Sequence, residues 1–116
     1  MLPKRSDPNS KHHQARLAID SKLKDAAPEQ ETLEALAVKC ASSPSPDNTF
    51  QYAFCLTKSK SADERRYAIT ILDNLIKEGY EHQLDCIYGS AIASYLNKKY
   101  DDARKKCESI LRSQPE

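Results

Sequence analysis

The chain has 116 residues, 39% of them hydrophobic and 30% charged, with a formal net charge of +1. That suffices for one modest domain, and the balance of charge gives no field to draw the whole chain onto nucleic acid. Only Gly79 and Gly89 are glycines, which argues against phosphate-cradling loops and a turn-rich β fold.

The charge is unevenly placed. Residues 1–25 hold six Lys/Arg against three Asp, hence +3, and residues 26–116 hold twelve against fourteen, hence −2. We read residues 1–27 as a polar arm, disordered or weakly helical. Pro3 and Pro8 interrupt its start, and Ala15, Ala18, Ile19, Leu23 and Ala26 form only a faint helical stripe. The arm has no apolar core, so it is not a secretory signal, and Asp7, Asp20 and Asp25 count against matrix import. No apolar run approaches the roughly 18–20 residues that span a bilayer, so the chain as given is expected to be soluble.

A helical domain is expected over 28–116. The first helix opens at Pro28, whose missing N–H costs nothing there, and Leu33, Leu36, Ala37 and Cys40 recur on one face to about residue 42. Pro44 and Pro46 end it, and Asp47 or Asn48 caps a second helix over about 48–60. Ser61 and Glu64 have the spacing of a capping box. They open a third helix with the apolar stripe Ala68, Ile71, Leu72, Leu75 and Ile76, which Gly79 ends in a left-handed cap. A fourth helix, about 81–96, carries Leu84, Ile87, Tyr88, Ala91 and Tyr95 and closes at Asn97. The fifth, about 100–113, is expected to bury Tyr100, Ala103, Cys107, Ile110 and Leu111. Its Asp101–Lys105 and Asp102–Lys106 spacings suit ion pairs.

No strand is expected, so the fold class is all-α. Ala68 and Ala103 lie 35 residues apart, near the roughly 34-residue period of tetratricopeptide helix pairs. The architecture predicted is a helical bundle with two tetratricopeptide-like pairs and a flanking N-terminal helix. Such repeats build grooves for other proteins. Cys40, Cys55, Cys86 and Cys107 contain no Cys-x-x-Cys pair, and we read them as free thiols in a reducing compartment.

The string "FQYAFCLTKSKSADERRYAITILDNLI", with "YLNKKYDDARKK" after it, resembles the mitochondrial fission protein 1 family. The likeness rests on Phe50, Tyr52, Ala53 and Phe54, then Leu56 and Ser59, then Asp63, Glu64 and Arg65, and covers about residues 30–115. The resemblance implies an adaptor on the cytosolic face of the mitochondrial outer membrane, and on peroxisomes. That adaptor recruits dynamin-related GTPases directly or through adaptor proteins. It further implies a final helix and a C-terminal membrane anchor, before which this sequence is expected to stop.

On a concave repeat surface, the first pair's leading helix is expected to present Phe50, Phe54, Thr57 and Lys58, and the second's Tyr88, Ile92 and Tyr95. This aromatic and aliphatic strip suits an amphipathic helix or an extended arm. A chaperone-type carboxylate clamp is disfavoured, because Phe50, Phe54 and Gly89 stand where its polar residues belong. The arm's faint stripe suggests that it folds over the groove, or over the apolar edge that the family's final helix would cover, and competes with partners. Self-association is a further partner class. Neither enzyme activity nor a cofactor is indicated, and His12, His13 and His82 are read as solvated rather than as a metal site. The alternative reading is a generic repeat scaffold unrelated to organelle division.

Overall fold

A computed structural model describes residues 27–113. The predicted arm, with His12 and His13, lies outside the described residues apart from Ala27. Among the described residues there are five helices and no strand: α1 (Gln30–Ser42), α2 (Pro46–Leu56), α3 (Ala62–Lys77), α4 (Gln83–Leu96) and α5 (Tyr100–Ser113). The fold is an all-α bundle. Each helix packs on its chain neighbour, apart from which α2 also touches α4. Thus α2–α3 and α4–α5 are the two repeat pairs, and α1 covers the open side of the first.

Local chemistry sets the helix ends. Pro46 starts α2 rather than blocking it, because its absent N–H falls in the first turn. The cap is Ser45, whose Oγ accepts from the Asn48 N–H at 3.1 Å, not Asp47 or Asn48 as the sequence suggested. The helix also ends earlier than expected, at Leu56.

At α3, Ser61 Oγ accepts from the Glu64 N–H at 3.3 Å, as a capping box requires. The reciprocal half passes through a third residue. Ser59 Oγ takes the Ser61 N–H at 3.1 Å and donates to the Glu64 carboxylate.

The far end of α3 closes on Gly79 at φ +81. Tyr80 N–H donates to Leu75 C=O at 3.0 Å and Gly79 N–H to Ile76 C=O at 3.1 Å, the paired bonds of a Schellman motif. The end of α4 repeats this geometry with Lys98 in the glycine position, at φ 63. There Lys99 N–H reaches Ser94 C=O at 2.8 Å and Lys98 N–H reaches Tyr95 C=O at 2.9 Å. A lysine in the left-handed region costs about 1 kcal/mol against glycine.

The core has two parts. Ala53, Leu72, Leu75, Tyr80 and Cys86 join α2, α3 and α4, and Leu33, Leu56 and Ala68 lock α1 to the first pair. Of the α1 stripe, only Leu33 is fully buried.

Helix α5 buries less than its stripe predicted. Ala103 is buried, but Cys107 is exposed and Leu111 is 69% exposed. Among the described elements α5 packs chiefly on α4, which leaves Cys107 and Leu111 uncovered there while Tyr100 and Ile110 are partly buried. Its ion pairs also differ from expectation. Arg104 approaches Asp101 at 3.6 Å and Glu108 at 3.9 Å, while Lys106 Nζ crosses to Ser94 Oγ at 3.0 Å.

Candidate functional site

The leading helices α2 and α4 meet where one of them has no side chain. A Cβ built on Gly89 would lie 3.1 Å from Phe54 Cδ2 and 3.0 Å from Leu72 Cδ1. Glycine here lets the Phe54 ring lie on the α4 backbone. Phe54 thereby comes within 6.3 Å, centroid to centroid, of Tyr88, one residue before Gly89. On its other side Phe50 stands 5.4 Å away, and Phe50 in turn lies 5.6 Å from Tyr80. Lys58 Nζ sits 5.4 Å from the Phe54 ring centroid, within cation–π range.

These contacts make one strip, Phe50–Phe54–Tyr88, with Lys58 at one end. Tyr88 is 53% exposed and Leu84, one helical turn before it, is also exposed. Phe50, Phe54 and Lys58 are partly buried. The surface therefore offers aromatic faces and a polar tip with only part of its area already covered, the make-up of a binding patch.

Three of the seven expected residues fall elsewhere. Thr57 is fully buried, because as the C-cap of α2 its hydroxyl turns inward and donates to Phe54 C=O at 2.5 Å. Ile92 is 8% exposed and belongs to the interior, since α4 is the middle helix and is covered on most of its circumference. Tyr95 is partly buried and packs edge-on against Tyr100 at 5.3 Å, towards α5. Sequence reasoning had not placed Leu84 on the exposed face, although it stands four residues before Tyr88.

Beside the strip, the two inter-helix turns are tied together. Arg65 Nε donates to Asn97 Oδ1 at 2.6 Å and its Nη1 to Ser59 C=O at 2.6 Å, while Asn97 Nδ2 reaches Ala62 C=O at 3.3 Å. Burial lowers the Arg65 pKa from its ordinary value. A cavity of about 370 Å³ opens here.

At the opposite end of the strip, Tyr80 OH donates to Asp47 Oδ1 at 2.8 Å. Burial first, and this hydrogen bond second, push the Tyr80 phenol well above its usual range. Asp47, Glu81 and His82 bring one potential ligand atom each within 4.8 Å of one another, all on exposed side chains. His82 already faces Glu81 at 3.5 Å and Asp85 at 3.9 Å, an ordinary surface charge grouping.

No family model matches the chain. Among curated proteins it is 35% identical over 79 residues to the mitochondrial fission 1 protein of Homo sapiens, covering 67% of this chain and 52% of the relative. It is 31% identical over 71 residues to that of Candida glabrata, covering 61% and 46%. Among solved structures it superposes on yeast Fis1, crystallised with a fragment of yeast Caf4, with TM-score 0.64 and 28% identity. That match covers 74% of this chain and 94% of the other. This chain is a homologue of the mitochondrial fission 1 proteins. It spans about half the length of the curated relatives it matches. The helix pairs of this fission 1 homologue share the fold of the yeast Fis1 structure. No helix among the described residues is long and apolar enough to cross a membrane.

Proposed function

We propose that the chain is a non-catalytic adaptor of mitochondrial fission, working at the cytosolic face of the outer mitochondrial membrane. It holds an amphipathic segment of a dynamin-related GTPase, or of an adaptor for one, against Phe50, Phe54 and Tyr88. Peroxisomal division is a second site of action for the same surface. The observation that carries this reading is the seat of Phe54 on Gly89 beside an exposed Tyr88. The solved relative with a bound Caf4 fragment supports the assignment to a partner-holding fold.

Affinity on such a surface comes from a few buried aromatic anchors, and charges at the rim adjust rate and selectivity. The test is recruitment. The chain is fused to an outer-membrane tail anchor in cells lacking their own fission 1 protein, and the fission GTPase is imaged. The wild-type sequence is expected to restore GTPase foci on mitochondria and Tyr88→Ala to lose them. Foci that never form with the wild-type sequence favour a repeat scaffold unrelated to organelle division.

A further inference from the structure

The cavity beside the aromatic strip is lined by Lys58, Lys60, Arg65 and Lys98, with Ala27, Ser59 and Leu96 completing the wall. No carboxylate among the described residues lies within 4.0 Å of any of these four cations. Arg66, Arg104 and Arg112 on the outer surface, by contrast, each have an acid at hand. Glu64, next to Arg65 in sequence, turns to Ser59 Oγ. Arg65 is fixed in place by two neutral oxygens, so its position is set while no carboxylate among the described residues pairs with it. Lys98 stands at φ 63, where glycine is favoured, so the rim carries a side chain that costs stability. Lys58 belongs both to this cavity and to the Phe54 ring, which makes cavity and strip one continuous surface.

We propose that this cavity receives side-chain carboxylates of the partner segment, so that the surface reads apolar anchors followed at once by an acidic flank. The inference rests on the adaptor reading above and names the chemistry of its partner. Lys58 follows Phe54 by four residues, two past the end of α2, with its Nζ 5.4 Å from the Phe54 ring centroid. An acidic residue about one helical turn beyond the last apolar anchor therefore reaches the cavity, at about 5.4 Å per turn. A lipid surface fits less well, because headgroups meet protruding cations, whereas Lys58 and Arg65 are partly buried in a concavity between two turns. A free phosphate would leave the adjoining aromatic strip unused.

The experiment is a display selection on the full chain. Its library holds internal peptides with fixed apolar anchors at i, i+3, i+4 and i+7 and randomised flanks. Asp and Glu are expected to be enriched on one flank, and replacing them by Asn and Gln should weaken the selected peptide about tenfold in titration. The variant Lys60→Gln with Lys98→Gly should keep the anchor preference and lose the acidic one. Lys98→Gly relieves the backbone, so unfolding does not account for that loss.

Anchors without acidic enrichment overturn the cavity proposal and leave the adaptor reading standing. Failure to enrich the anchors overturns both. Co-sedimentation with phosphatidylserine vesicles that needs Lys60 and Lys98, with no acidic flank selected, reassigns the cavity to lipid. Self-association that these substitutions abolish, again with no acidic flank, reassigns it to a second copy.

Discussion

Phe54 lies against Gly89 so closely that a single methyl group would press on its ring at 3.1 Å and on Leu72 at 3.0 Å. The contact joins the two repeats and shapes the binding strip together. Alanine would gain about 1 kcal/mol of helix propensity at position 89 but lose about 1–3 kcal/mol to overpacking. Leu72 is fully buried, so any shift of its methyl disturbs the packed core around it. Gly89→Ala is therefore expected to cost roughly 1 kcal/mol in urea unfolding, with Gly89→Val costing more. An unchanged midpoint for Gly89→Val would show that the two helices part freely.

The Arg65–Asn97 bond spans the two inter-helix turns, 32 residues apart in sequence. A double-mutant cycle with Arg65→Met and Asn97→Ala should give a coupling of about 1–2 kcal/mol, because the bond is charge-assisted and partly buried. Additive losses would mean that the turns are held by packing alone.

Alkaline pH should destabilise the fold through Tyr80 and Cys86. Both acids are held neutral in the folded state, the phenol by burial and its bond to Asp47, the thiol by burial, which pushes it up to about 11. A raised acid pKa means that the unfolded chain loses its proton first. The stability is therefore complete at neutral pH and falls as pH rises from about 9, the ordinary thiol value, through the folded values. Tyr80→Phe should flatten the upper part of this fall in chemical denaturation at stepped pH. In the native protein near neutral pH, Cys86 should resist a thiol reagent that modifies exposed Cys107 at once.

Lys98→Gly is expected to raise stability by about 0.5–1 kcal/mol, because the residue already sits at φ 63. Thermal unfolding would register this as a higher midpoint. A lower midpoint would mean that the lysine side chain contributes more to the fold than its backbone costs.

Much of this architecture is written in short-range chemistry. The α3 stripe, the left-handed cap at Gly79 and the 35-residue repeat are local patterns, and the structure has all three. The aromatic pair at Phe50 and Phe54 was equally legible, because its helix leads a repeat. Which residues of α4 face out was not. Periodicity places Tyr88, Ile92 and Tyr95 on one face, yet the first is exposed, the second buried and the third turned to Tyr100. That division depends on how α2 and α5 cover α4, which is tertiary and leaves no mark on the spacing.

Ile92→Glu consequently becomes a folding variant and not a binding variant. It would bury a charge in the interior, with a loss of about 3 kcal/mol or more, and far-ultraviolet circular dichroism should show it. Native helical content in that variant would return Ile92 to the surface.

Partner holding turns on Tyr88, which is exposed beside Phe54 and contributes little to the core. The most direct measurement pairs circular dichroism with recruitment of the fission GTPase by tail-anchored wild-type and Tyr88→Ala chains. Tyr88→Ala should leave helicity and melting unchanged and lose recruitment. Recruitment at the wild-type level by a folded Tyr88→Ala chain would contradict this role of Tyr88.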